Sequence, residues 1–181
     1  MVKNVFENYI GYSAKLRPDY PDSLGSSISG WENVVKTITT DIPAIYKAIY
    51  GKVSGTMRNI ENQALMDFIP GYRLIHIQEL EQEKTNLDGV LQYCEEIEGL
   101  TFLPLLADYS SHYICYCKDE SGAEMIYRVT LEDEPELLYE SPETFLKTIC
   151  EYYKQQIYFL DQDGFLDCDF DHLDEHLDKE K

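Results

Sequence analysis

Residues 101–146 read TFLPLLADYSSHYICYCKDESGAEMIYRVTLEDEPELLYESPETFL, short apolar runs broken by turn residues and followed by a helix start. This pattern restricts the fold more than any other stretch, because runs of β-favouring residues separated by Asp, Ser and Gly clusters make hairpin-linked strands. The spacing predicts strands at 101–106, 113–117, 124–130 and 136–139, with ADYSS, KDESG and LEDEP as the turns. Strands joined this way form an antiparallel sheet, with one face packed and the other available. Ser141 then reads as a helix cap with Pro142 in the first turn, and Phe145, Leu146, Ile149, Tyr152 and Tyr153 form the stripe that lays this helix on the sheet.

The chain has 181 residues, 44% of them hydrophobic, which suffices for one substantial core. The reading divides it into an irregular lead-in at 1–29, an α+β domain at 30–160, and an acidic tail at 161–181. Within the lead-in, PDYPDSLGSSISG carries turn residues throughout. Ser29 and Glu32 have capping-box spacing for a short helix to Ile38. Asp41 is placed to cap the next helix, with Pro43 in its first turn and Ile42, Ile45, Tyr46, Ile49 and Val53 on one face. Residues 56–70 give one helical turn near 62–66, and 72–77 alternate as a strand. A helical stripe of Leu80, Leu87, Val90, Leu91 and Cys94 then runs through 78–97.

Charge limits function. Fifteen basic residues against 34 acidic ones give a net charge of −19. Residues 1–60 are +2, residues 61–160 are −14 and the tail is −7. Such a field repels phosphate backbones and anionic lipid, so direct nucleic-acid or membrane binding is disfavoured, and encounter with a basic partner is accelerated. No apolar run approaches the roughly 18 residues of a membrane helix and the N-terminus lacks a signal-peptide pattern, so the expected location is the cytoplasm.

The residue types that could carry chemistry do not assemble into a motif. Cys94, Cys115, Cys117, Cys150 and Cys168 make an odd count, read as reduced thiols; Cys115 and Cys117 would share a strand face but lack a second pair for zinc. His76 has no Asp, Ser or Cys partner at a helpful spacing. Glu79, Glu81, Glu83, Glu95 and Glu96 read as a solvated acidic face. In the tail, Asp161, Asp163 and Gly164 place the glycine too early for a calcium loop, and His172 and His176 lack the zinc-protease glutamate. No catalytic, metal or cofactor residue is assigned.

Several stretches, in order, resemble the SUKH superfamily, named partly for a yeast regulator of cell-wall glucan synthesis. DIPAIYKAIYGKVSGT is similar to the family's LPxDYxxFYxxxNGG segment, and IPGYRLIHIQELEQ to its strand-to-helix passage through Gly71, Tyr72, Leu74 and Glu79. TFLPLLADYSSHYICYC resembles its paired strands through Pro104 and Asp108, and SPETFLKTICEYY its closing helix through Phe145 and Leu146. The chain departs at Ser54-Gly55, where the family has Asn-Gly, and at Tyr109-Ser110-Ser111, where it has a Gly-rich turn.

The resemblance implies an α+β domain, an antiparallel sheet flanked by helices, with no enzymatic activity. It implies a bacterial immunity protein that neutralises a cognate toxin, often a nuclease; the alternative is a scaffold or regulatory module like the eukaryotic members. A nuclease must attract phosphate and is basic where it works, which an acidic inhibitor complements. The acidic turns carry the expected partner surface: Asp108, Asp119, Glu120, Glu132, Asp133 and Glu134.

Overall fold

A computed structural model describes residues 2–95 and 97–169. Six helices, α1 (Val2–Leu16), α2 (Tyr20–Ser23), α3 (Trp31–Ile38), α4 (Ala44–Tyr50), α5 (Leu80–Leu91) and α6 (Pro142–Lys154), surround a six-stranded sheet. Its strands are β1 (Asp67–Ile69), β2 (Tyr72–Leu74), β3 (Leu100–Ala107), β4 (Tyr113–Asp119), β5 (Glu124–Val129) and β6 (Glu136–Tyr139). They lie side by side in sequence order, every neighbour antiparallel. A separate hairpin, β7 (Tyr158–Leu160) with β8 (Leu166–Cys168), follows α6. The molecule is therefore α+β, with all four strands expected from the turn pattern in place.

Register assigns the two sheet faces. Tyr113, Cys115 and Cys117 alternate toward α5, and the Tyr113 hydroxyl donates to Glu83 of that helix at 2.9 Å. Ile114 and Tyr116 point the other way, Ile114 beside Phe145 and Ile149 of α6, Tyr116 edge-on to Tyr46 of α4 at 6.4 Å. Helix α6 begins as its sequence dictates: Ser141 Oγ accepts the Thr144 N–H at 3.0 Å and Pro142 fills a position whose N–H needs no partner. Beneath α5, Arg73 (2% exposed) has Glu83 (3% exposed) at 2.8 Å and Glu79 at 2.6 Å, while its Nη1 donates to the Thr56 carbonyl at 2.6 Å.

The N-terminal stretch corrects the reading of 1–29 as an irregular lead-in. Helix α1 buries Phe6 and Tyr9 completely; Tyr9 stacks on Phe68 at 4.1 Å and donates to its carbonyl at 2.8 Å. Burying each such ring contributes about 2–3 kcal/mol, so α1 belongs to the core. Arg17 follows it inward, 3% exposed, its guanidinium 3.9 Å over the Tyr20 ring and bonded to the Tyr153 hydroxyl and the Asp67 carbonyl.

Other expectations shift locally. The capping box at Ser29 does not form: Gly30, at φ +82°, is the N-cap of α3 and no side chain caps it. Asp41 does not cap α4, which starts after Pro43, because a residue preceding proline is held out of the helical region and Ile42 cannot enter the helix. The strand expected at 72–77 stops at Leu74; Ile75 bridges Thr56 in parallel, and Ile77–Glu79 turn into α5. That bridge requires Gly55, at φ +89°, since a Cβ there would lie 2.4 Å from the Ile75 carbonyl oxygen. The helix expected to 97 ends at Leu91. The domain boundary at 160 falls inside the β7–β8 hairpin, whose turn is held by Asp161 Oδ1 accepting from Asp163 and Phe165 N–H. His172, His176 and the rest of the acidic tail from 170 onward lie outside the described residues. Among the described residues no helix is long and apolar enough to cross a membrane.

Candidate interaction surface

The antiparallel register distributes the acidic turns between two ends of the sheet. Tyr113 pairs with Val129, so the β3–β4 turn with Asp108 and the β5–β6 loop with Glu132, Asp133 and Glu134 share one end. Asp119 and Glu120 sit at the other, about 20 Å away along the seven residues of β4. The six expected residues therefore form two groups and not one patch.

Within those groups the carboxylates have different jobs. Asp108 Oδ1 accepts the N–H groups of Ser110 and His112 at 2.7 and 2.9 Å, and its Oδ2 is 3.1 Å from His112 Nδ1. Asp119 Oδ1 accepts from the Ser121 hydroxyl and the Ala123 N–H, which hold its carboxyl below the usual aspartate range. Both are turn-shaping residues. Glu134 joins loops: both its oxygens accept the Glu95 N–H, at 3.2 and 3.1 Å. Glu120, Glu132 and Asp133 are exposed, and their carboxylates make no hydrogen bond or ion pair with a described residue.

The Glu95–Glu134 contact brings in residues that charge alone did not mark. It ties the segment after α5, with Tyr93 at 81% exposed, to the β5–β6 loop, with Leu131 at 60%. Tyr93 falls off the apolar stripe that the sequence places along 78–97, which is the available sequence signal. Next to these loops, Met125, Tyr127 and Leu137 share the α5 side of the sheet, Tyr127 paired across from Leu137 and edge-on to Phe102 at 5.5 Å. Met125 and Tyr127 are half-buried and Leu137 is exposed. The cations of these strands, Lys118 and Arg128, alternate to the opposite face. Arg128 there borders an apolar cavity of about 180 Å³ under α6 and pairs with Glu136.

The remaining candidates are structural. Cys115 and Cys117 share a face as their spacing required, but both are fully buried and burial pushes the thiols up, that of Cys117 to about 12. His76 caps the turn into α5, its Nδ1 accepting the Gln78 N–H at 3.2 Å, and desolvation lowers its pKa. Glu83, read as part of a solvated face, is a buried hub for Arg73, Arg58 and Tyr113. Among the described residues no group of three or more His, Cys, Asp or Glu is arranged to hold a metal ion. No protein-family model matches the chain, and no curated protein matches it.

Proposed function

We propose that this chain is a non-enzymatic binding protein that captures and masks a basic protein partner, and that it is a SUKH-type immunity protein whose partner is a cognate toxin domain. The observation that carries this reading is the display of acid at both ends of the sheet: Glu132 and Asp133 are exposed at one end and Glu120 at the other, while the strand cation Arg128 is paired with Glu136. A basic surface approaching either loop end meets attraction, which steers encounter and selects the sign of the partner. A nuclease toxin has such a surface because it must hold phosphate. The ordered sequence resemblance supplies the toxin; the charge supplies the sign of the partner.

The test is co-expression with the toxin-like domain of an adjoining reading frame. The expected result is a single tight complex that protects the cell, with an association rate that falls about tenfold or more between low and high salt. Recovery of several unrelated partners with no protection would replace this reading by that of a scaffold or regulatory module.

A further inference from the structure

We propose that the cavity between α6 and the sheet is a binding site for one small uncharged aromatic molecule, a single ring whose hydroxyl or carbonyl head accepts a hydrogen bond from Arg128. The site is on the sheet face turned away from α5, and the inference does not depend on a protein partner.

Three parts of the fold enclose the space. Ile114 of β4 and Leu138 of β6 line it from the sheet, Phe145 and Ile149 from α6, and Tyr158 from the β7–β8 hairpin. Of these, all but Leu138 are buried. Side chains so deeply placed normally interdigitate and leave few voids larger than a water molecule, so about 180 Å³ of open space among them departs from ordinary packing. A cavity of about 150 Å³ lined by Leu, Ile and Phe stays dry and admits benzene. This one therefore has room for a ring and a short head.

The lining then fixes the chemical class. Among the described residues Arg128 is the one charged side chain that borders the cavity, and at the solvent-reached rim Glu136 already matches its charge. A carboxylate or ammonium drawn inside would give up water without an uncompensated opposite charge to meet it, which costs more than burial of one ring returns. An uncharged acceptor avoids that cost. The guanidinium carries five N–H donors and gives one on Nη2 to Glu136, so another can serve a ligand hydroxyl or carbonyl at the rim. Tyr72, Tyr139, Phe145 and Tyr158 supply ring faces and edges, which favour an aromatic guest over an aliphatic one of equal size.

The probe is benzyl alcohol, titrated into the full chain and followed by amide chemical shifts and thermal unfolding, with toluene, benzoate and benzylamine as comparisons of similar size. The expected result is saturable one-to-one binding with shifts centred on Ile114, Phe145 and Ile149, and an unfolding midpoint that climbs with ligand concentration. Benzoate and benzylamine should bind at least about tenfold more weakly. Arg128→Leu should weaken benzyl alcohol several-fold while leaving toluene unchanged. Ile149→Phe and Leu138→Phe each fill the space and should cost at least about tenfold in affinity for benzyl alcohol, with unchanged circular dichroism separating lost binding from lost folding. Leu138 is only half-buried, so it accommodates the larger ring where Ile149 does not. Shifts centred elsewhere, no saturable binding, or full affinity in a folded, filled variant overturns the site. A charged probe binding as tightly as the alcohol overturns the uncharged class, and an alcohol affinity unmoved by Arg128→Leu overturns the head contact.

Discussion

Glu83 and the pair Glu132–Asp133 are carboxylates of one chain put to opposite uses. Glu83 is 3% exposed and holds Arg73 at 2.8 Å, Arg58 at 2.9 Å and the Tyr113 hydroxyl at 2.9 Å. Glu132 and Asp133 are exposed, and their carboxylates make no hydrogen bond or ion pair with a described residue. A desolvated carboxylate must be paired almost completely or it destabilises the fold, and once paired it ties β2, β4 and α5 together. A solvated one contributes little to the fold and remains available to a partner. The net charge of −19 therefore overstates what holds the molecule together and describes mainly what it presents outward.

The contrast can be broken most forcefully at its buried end. Replacing Glu83→Ala deprives Arg73 of its most deeply buried carboxylate and should destabilise by about 3–5 kcal/mol, read from urea unfolding. A stability loss under about 1 kcal/mol would show that Glu79 alone suffices for Arg73 and that Glu83 is not the hub. Asp108 is intermediate, exposed enough to meet solvent yet holding two backbone N–H groups. Asp108→Ala should cost about 1–2 kcal/mol and leave the salt dependence of partner association nearly unchanged. A large change in that dependence would move Asp108 back among the contact residues.

His76 sharpens the comparison through pH. Its folded pKa is depressed by desolvation, so the neutral ring is favoured in the folded state. The sign follows: its contribution is present above the ordinary value near 6.5 and is lost as pH falls through the lower folded value. Unfolding midpoints measured from pH 7.5 down to 5 should therefore fall further for the wild type than for His76→Asn, which can still cap Gln78. Parallel profiles would mean that the ring is solvated when folded. The smallest effect on stability is expected at the open end of the comparison. Glu132→Gln with Asp133→Asn should shift stability by less than about 0.5 kcal/mol while slowing association with a cationic partner several-fold at low salt.

Much of the frame is legible from residues alone. Strands β3 to β6 declare themselves because turn clusters separate them, and α6 because Ser141 and Pro142 mark its start. Helix α1 was missed, although Phe6, Tyr9 and Ser13 fall at i, i+3 and i+7, because its tyrosines and serine blur an otherwise apolar stripe. The capping box at Ser29 failed for a local reason, a left-handed Gly30 that takes the capping position first. For the candidate surface, the acidic turns were legible as charge. Their roles were not, since the same aspartate reads alike whether it closes a turn, as Asp119 does, or waits in solvent.

Local chemistry is written along the chain: where strands turn, where α6 begins, and that the molecule carries an excess of acid. Which carboxylates are withdrawn and which are displayed is settled by packing in three dimensions. Glu83 and Glu81 are both acids of one helix, yet the former faces Arg73 across β2 and the latter faces water. Antiparallel register likewise placed Asp119 and Glu132 at opposite ends of an apolar strip and sent Lys118 and Arg128 to the far face. The physical reason is that desolvation and Coulomb attraction act through space, between residues that sequence separation alone does not pair.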